Sequence, residues 1–232
     1  MMKYIALFIF LGSAGLVRAD LSLVQKVEGI SPANAAGINE ITIKMKGTKA
    51  RIETGAKAST IVDASTGEMI TLMHDRKAVL RISGERAKAM AEMANKYAGK
   101  NEDKTKPELV PTGKMETVNG MDTEIYTTKG GTRPVTYWIA KNYPNAAAIL
   151  KQMQAMLPKQ WTMTQGGMPD YRDFPGLPVK TEFDMGGKKV TTTLVSVKED
   201  PISDAEFTIP ADYSELKIPG LEPAKAAASP TP

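Results

Sequence analysis

The stretch that decides the fold is EITIKMKGTKARIET, which occupies residues 40–54. It alternates polar and apolar residues on both sides of Gly47-Thr48, a dipeptide suited to a turn. Successive side chains of a strand point to opposite faces, so the apolar residues of both halves share one face. These residues are Ile41, Ile43, Met45, Ala50 and Ile52. The stretch therefore predicts two antiparallel strands that are buried on one face.

The same alternation continues along the chain and predicts a mainly β protein of the α+β class. The further strands are predicted at residues 59–63, 68–74, 78–83, 114–118, 122–128, 133–140, 179–183, 189–198 and 205–209. Asn119-Gly120 separates two of them, and this dipeptide is a strong hairpin signal because both residues tolerate positive φ. Residues 100–111 are predicted to be a mobile loop, and residues 161–178 an irregular segment.

Two segments change to helical spacing. Within residues 84–98 the apolar positions are Ala87, Met90, Ala91, Met93, Ala94 and Tyr97. Within residues 144–157 they are Ala146, Ile149, Leu150, Met153 and either Met156 or Leu157. One sheet face is apolar and must be covered, so we expect the Met90–Tyr97 side of the first helix to lie over it. A twisted sheet curves away from a straight helix, which predicts an apolar pocket between them.

The start of the chain has the three-part layout of a secretory signal peptide. Lys3 is followed by a nearly continuous apolar run over residues 4–16, and Val17 and Ala19 suit a cut before Asp20. A spanning helix needs roughly 20 apolar residues, more than this run contains. We expect residues 1–19 to be a signal peptide, residues 20–220 one β-rich domain, and residues 221–232 a disordered tail. This organisation predicts a periplasmic or secreted bacterial protein without stable membrane insertion after cleavage.

Composition excludes several classes of site and partner. The chain has no cysteine, so disulfides, thiolate metal sites and cysteine nucleophiles are absent. Its one histidine cannot form a histidine-based zinc site, and no cofactor is expected. Without Lys3 and Arg18 of the leader, which has no acid, the net charge falls from +4 to +2. Lys and Arg also alternate with acids along the chain, which argues against a nucleic-acid partner.

The remaining polar candidates do not form a catalytic pattern. His74 lies in a predicted His-Asp-Arg-Lys turn with no serine elbow to accompany it, so we interpret it as a surface turn residue. Asp170 and Asp173 flank Arg172 but lack the spacing of a calcium loop, and we interpret them as solvated loop acids. No catalytic residue and no metal ligand is therefore predicted.

Methionine is the unusual residue type, with 14 in the chain. Its unbranched, polarizable side chain suits adaptable apolar surfaces and also fills gaps in a core. Both interpretations place the helical methionines toward the sheet, and they differ in whether the space between is filled. The candidate residues of an apolar cavity are Met90, Met93, Tyr97, Met153 and Met156.

Several stretches together resemble an uncharacterised family of exported bacterial proteins, a domain of unknown function. The stretches are residues 47–54, 59–63, 68–73, 77–80, 176–180 and 204–213. That family in turn resembles the periplasmic lipoprotein-carrier superfamily. The resemblance implies a strongly curved antiparallel sheet or unclosed β-barrel with two covering helices, and a concave face that holds acyl chains.

Three functions are open from the sequence. The first is a non-enzymatic envelope protein that binds an apolar ligand, a lipid or acyl chain, between a curved sheet and its helices. The second is a structural or protein–protein interaction module of the envelope with the same fold and a filled core. An enzyme is the third and has the least support, because no catalytic pattern accompanies it.

The leader gives the first prediction. We expect cleavage between Ala19 and Asp20, because small residues at the −3 and −1 positions fit the signal peptidase site. N-terminal sequencing of protein purified from the envelope fraction should give Asp20 as the first residue. A mature chain that still begins at Met1 would contradict both the export interpretation and the predicted location.

Overall fold

The computed structural model describes residues 20–29, 39–97, 106–131, 133–157 and 168–216. The predicted signal peptide and the predicted tail at residues 221–232 lie outside the described residues. The same holds for the first half of the predicted loop at residues 100–111 and for the first part of the irregular segment at 161–178.

Within the described ranges, twelve strands form one unclosed, curved sheet, in the order β12-β6-β5-β4-β3-β2-β1-β11-β10-β9-β8-β7. The strands are β1 Leu21–Glu28, β2 Glu40–Lys46, β3 Lys49–Thr54, β4 Ala58–Asp63, β5 Glu68–Met73, β6 Ala78–Ile82, β7 Glu108–Val118, β8 Met121–Lys129, β9 Val135–Ala140, β10 Leu177–Met185, β11 Lys188–Lys198 and β12 Ser214–Glu215. Neighbours pair antiparallel except β12, which runs parallel to β6. Two α-helices accompany the sheet, α1 Gly84–Tyr97 and α2 Ala146–Ala155. The predicted mainly β fold is confirmed.

Most predicted strands and both helices are present with shifted ends. The hairpin at Asn119-Gly120 is confirmed, and both residues have positive φ, 50° and 77°. The helix predicted at residues 144–157 is shorter, because Asn145 adopts a left-handed conformation before its first turn.

Three predictions of secondary structure are wrong. Residues 108–111 of the predicted loop belong to β7, where Pro111 is tolerated because β7 is an edge strand. Residues 177–178, predicted as irregular, begin β10. The strand predicted at residues 205–209 is instead a 3-10 helix, Asp204–Phe207, which Ser203 caps by accepting a hydrogen bond from the Ala205 N–H.

One face of the sheet is covered by α2. Direct cross-strand partners point to the same side, and Leu21 pairs with Met45, which pairs with Ala50. These three residues are buried in one cluster with Ile149 and Leu150 of α2. Helix α2 therefore packs on this face, which we call the helix-covered face.

The C-terminal segment, residues 199–216, crosses the opposite face; we call it the strap. Its Phe207 packs with Ile61, Leu72 and Val79 in a second cluster. Polar bonds hold it as well: Arg51 donates to the Glu206 carbonyl, at 2.9 Å, and the Asp20 carboxylate accepts from the Ile202 N–H, at 2.8 Å. Both faces of this half of the sheet thus carry apolar residues.

His74 lies in the predicted turn, but the interpretation as a free surface residue is wrong. Its Nδ1 hydrogen-bonds the Tyr213 hydroxyl of the strap at 2.6 Å, and its Nε2 hydrogen-bonds the Ser59 hydroxyl at 3.1 Å. The ring is half-buried and Ser59 is fully buried. His74 therefore links the strap to the sheet, and this role depends on a residue far away in the sequence.

His74→Ala should consequently lower the free energy of unfolding by about 1–3 kcal/mol, since it leaves the buried Ser59 hydroxyl without its partner. Urea unfolding followed by circular dichroism measures the change. Asp75→Ala in the same turn is the control, because Asp75 is exposed and its removal should cost less than about 0.5 kcal/mol. Equal midpoints for both variants would show that the His74 bonds add no stability.

Candidate functional site

The five residues predicted to line an apolar cavity are separated by the fold. On α2, Met156 is buried in the core cluster and Met153 packs against it. On α1, Met90 and Met93 are 50% and 61% exposed. The prediction that this side of α1 is covered by the sheet is therefore wrong for these two residues. The side chain of Tyr97 lies outside the described residues, and the role of all five in binding a ligand stays a prediction.

The start of α1 shows where this helix is held. A Cβ added to Gly84 would lie 1.9 Å from the Thr66 carbonyl oxygen, so only glycine allows the helix to begin against the β4–β5 turn. Ala87, one turn further, is buried, whereas Ala89 and Met90 are exposed. The Gly84–Ala87 side of α1 thus faces the protein, so that of the predicted apolar positions Ala87 is buried whereas Met90 and Met93 are exposed.

An apolar strip continues on the helix-covered face beyond α2. The cross-strand row that begins at Met45 and Ala50 extends through Val62 and Met69 to Ile82. We define the open strip as the half-buried apolar residues of this face on β3, β5 and β6: Ile52, Met69, Met73, Leu80 and Ile82. Among the described residues, these five belong to neither of the two core clusters. The α2 half of the face is thus filled, and the other half presents apolar side chains.

Two buried polar atoms lie on the filled half. The Tyr137 hydroxyl on β9 and the Gln154 Oε1 on α2 have no hydrogen-bond partner in the part of the chain that the structure describes. Tyr137 is 1% exposed and packs edge-on against Phe174, with ring centroids 5.1 Å apart. Burial strongly raises the pKa of the Tyr137 hydroxyl, which keeps it neutral and able to donate a hydrogen bond.

A polar cavity lies on the opposite face. Its volume is about 510 Å³, and Lys26, Glu40, Thr42 and Glu53 are among the residues that line it. Thr42 and Glu53 are direct cross-strand partners, one position out of phase with Ile43 and Ile52 of the helix-covered face. This cavity is therefore distinct from the apolar pocket that the sequence predicted.

The acids of the irregular segment have structural partners. The Asp170 carboxylate accepts hydrogen bonds from the backbone and guanidinium of Arg172, which hold the pKa of Asp170 at about 2. Asp173 forms an ion pair with Lys106 at 2.8 Å. Asp170 is half-buried, so the interpretation as a solvated acid is wrong for that residue. No group of acidic and histidine side chains within the described residues has the arrangement of a metal site.

No helix of the described residues is long and apolar enough to cross a bilayer. An open, mainly β sheet with one helix packed on an apolar face defines the structural class of this protein. The chain belongs to the DUF4412 family, a domain of unknown function, whose model matches residues 29–213. The family resemblance drawn from the sequence is thereby confirmed.

Comparison with curated proteins finds no match. Among solved structures, the chain is similar to PNGF-II, at 12% identity and a TM-score of 0.41, covering 85% of this chain and 31% of PNGF-II. The chain thus spans about a third of the length of that protein. The Mycobacterium tuberculosis lipoprotein LppX is similar at 13% identity and a TM-score of 0.37, covering 80% of this chain and 88% of LppX. A LolA superfamily protein from Nitrosomonas europaea is similar at 10% identity and a TM-score of 0.21, covering 82% of this chain and 90% of the other. At these TM-scores no function carries over.

Sequence reasoning missed Tyr137 and the open strip as candidate residues. Tyr137 lies within the strand predicted at residues 133–140, and nothing in a tyrosine on a strand signals that its hydroxyl lacks a partner. The strip residues were all predicted to be strand residues with buried faces. The number of apolar strand residues could have indicated them. The sheet has more apolar residues on this face than one short helix can cover.

The different exposures of Met90 and Met156 give a prediction that compares the same substitution at both positions. Met90→Trp should change the free energy of unfolding by less than about 0.5 kcal/mol, because Met90 is 50% exposed. Met156→Trp should cost about 1–3 kcal/mol by overpacking, because Met156 is 8% exposed within the core cluster. Urea unfolding of both variants provides the comparison. A large loss for Met90→Trp would place that residue in a packed interface.

Proposed function

We propose that this protein is a non-enzymatic, exported protein of the bacterial envelope that binds an apolar ligand, a lipid or an acyl chain. The ligand lies on the helix-covered face of the sheet, along the open strip. The observation that carries the proposal is that five apolar residues of this face belong to neither core cluster of the described chain.

The physical argument concerns apolar area left in contact with water. Each Å² of apolar surface removed from water contributes about 25 cal/mol, so a ligand that covers the strip gains free energy that the protein alone does not realise. The strip residues lie in register on one face of the sheet, with Leu80 opposite Thr71 and Ile82 opposite Met69. An apolar surface that extends across several strands suits a long hydrocarbon chain.

The side chains of the strip favour a ligand of variable shape. Met69 and Met73 lie on it, and methionine adapts to different contacts through its three rotatable bonds. The Thr60 and Thr71 hydroxyls on the same face bond each other at 3.3 Å, so they are not left unsatisfied when an apolar ligand covers them. The exposed Met90 and Met93 of α1 remain proposed contacts at the border of this surface.

A protein–protein interaction module is the second candidate, and the β7 edge favours it. This strand of 11 residues ends the sheet, and it exposes Val110 and Met115. An uncovered edge offers backbone groups to an added strand. The bulge between Pro111 and Met115 and the proline itself interrupt that edge, which limits the length of a strand that could pair there.

Organic extraction of protein purified from the periplasm, followed by mass spectrometry, tests the proposal directly. A co-purifying lipid in stoichiometric amount is expected. Refolded protein without lipid should then bind a fluorescent fatty-acid probe with saturable intensity. Absence of both a lipid and probe binding would favour the interaction module.

The strip itself is tested by substitution. Leu80→Trp should reduce probe affinity at least about tenfold, the equivalent of about 1.4 kcal/mol, because the larger ring occupies the surface that the acyl chain needs. Val110→Trp on β7 is the matched control, since it adds the same ring to an apolar strand residue remote from the strip, and it should bind the probe as wild type does. Equal probe affinity for the two variants would remove the strip from the site.

A further inference from the structure

The Tyr137 hydroxyl is a polar group that the fold buries without a partner. Tyr137 lies on β9 between Tyr126 of β8 and Thr181 of β10, its direct cross-strand neighbours. The Tyr126 hydroxyl donates a hydrogen bond to Glu124 at 3.1 Å, whereas the Tyr137 hydroxyl has no partner in the described ranges of the chain. A phenylalanine would fill the same apolar surroundings without an unsatisfied hydroxyl, so the oxygen itself needs an explanation.

We infer that the Tyr137 hydroxyl is the hydrogen-bond donor for the carbonyl or carboxyl head of an acyl ligand. This inference rests on the proposed function and names the chemical group of the ligand that the site recognises. The oxygen-bearing head of the ligand would meet the Tyr137 hydroxyl, and its hydrocarbon chain would contact apolar residues of the same face.

Helix α2 belongs to the same core cluster as Tyr137. Asn145 precedes α2 in a left-handed conformation, and its side chain makes no cap hydrogen bond to the helix. The first turn has no acid and the last turn no base, so the helix dipole is not compensated at either end. Gln154 Oε1 on α2 is a second buried atom without a partner among the described residues. The termini of α2 therefore have few of the capping and charge interactions that stabilise helix ends.

The chemistry of the hydroxyl suits a head group that accepts a hydrogen bond. Burial raises the pKa of Tyr137, so the hydroxyl stays protonated across the range in which an envelope protein works. A hydrogen bond in apolar surroundings also discriminates strongly against a ligand that lacks the acceptor.

The experiment compares three ligands that share one chain: dodecanoic acid, methyl dodecanoate and dodecane. Each displaces the neutral fluorophore N-phenyl-1-naphthylamine from delipidated wild-type protein and from Tyr137→Phe. We expect Tyr137→Phe to weaken the acid, or the acid and the ester together, by about three- to tenfold and to leave dodecane unchanged, as for the loss of one hydrogen bond. Loss for both oxygenated ligands identifies the carbonyl as the recognised group, and loss for the acid alone identifies the carboxylate.

Tyr126→Phe is the matched control, because it removes a hydroxyl from the same cluster that already has a partner in Glu124. It should leave the relative affinities for the three ligands unchanged. If Tyr137→Phe also preserves the wild-type preference, the inference is wrong while the proposed function stands. If wild-type protein binds neither the fluorophore nor any ligand, the proposed function itself fails.

A second measurement needs no variant. The infrared carbonyl band of methyl dodecanoate labelled with ¹³C at the carbonyl should move to lower frequency on binding wild-type protein, because a donated hydrogen bond weakens the carbonyl bond. A bound ester with the band position of a hydrocarbon solution would overturn the inference. Thermal unfolding of Tyr137→Phe without ligand should show no loss of stability, since the variant removes a hydroxyl that has no partner.

Discussion

The pairing of β1 with both β2 and β11 is the interaction on which the rest of the fold depends. Strands β2 to β6 form one meander and strands β7 to β11 form another, and in the described chain β1 joins them. Leu21 and Leu23 of β1 are each 1% exposed and stand in the middle of the large core cluster. Without this strand the two meanders would have free edges at their junction, and the core beneath α2 would lose its centre.

The central position of β1 also fixes how the two faces are divided. On the helix-covered face, α2 belongs to the core cluster that contains Leu21 and Leu23, whereas the strip residues of β3, β5 and β6 lie outside that cluster. On the opposite face the strap covers that same meander, bound through Glu206 to Arg51 and Lys44. The half that the strap stabilises from one side is thus the half that presents the open strip on the other. Because the strap stabilises these strands from the opposite face, they can keep the apolar strip in place without a packed core over it.

Local patterns were enough to predict most of the strands, both helices and the Asn119-Gly120 hairpin, because period and turn chemistry are properties of neighbouring residues. They did not reveal β1, because the polar Gln25 lies on the same face as Leu21 and Leu23 while the apolar Val24 lies on the other, which interrupts the apolar alternation. They also did not reveal β12, whose two residues form a strand through pairing with Ala78 and Val79. The partners of His74, Ser59 and Tyr213, are brought together by the tertiary fold, so no spacing in the sequence indicates them. The same limit applies to Tyr137, because no sequence pattern shows that its hydroxyl lacks a hydrogen-bond partner among the described residues.

The two interpretations of methionine describe different halves of one face. Met153 and Met156 fill space between α2 and the sheet, as gap-filling residues do, whereas Met69 and Met73 lie on the strip outside the core clusters. The filled and the open half of this face would differ in which ligands they accept. A purely apolar strip would accept any hydrocarbon of suitable length, and a purely filled core would accept none. Under the proposed function, a ligand that reaches the buried, neutral Tyr137 hydroxyl on the filled half gains a directional contact that hydrocarbon alone cannot make. The division of the face would then separate affinity, which the strip supplies, from discrimination, which the Tyr137 hydroxyl supplies.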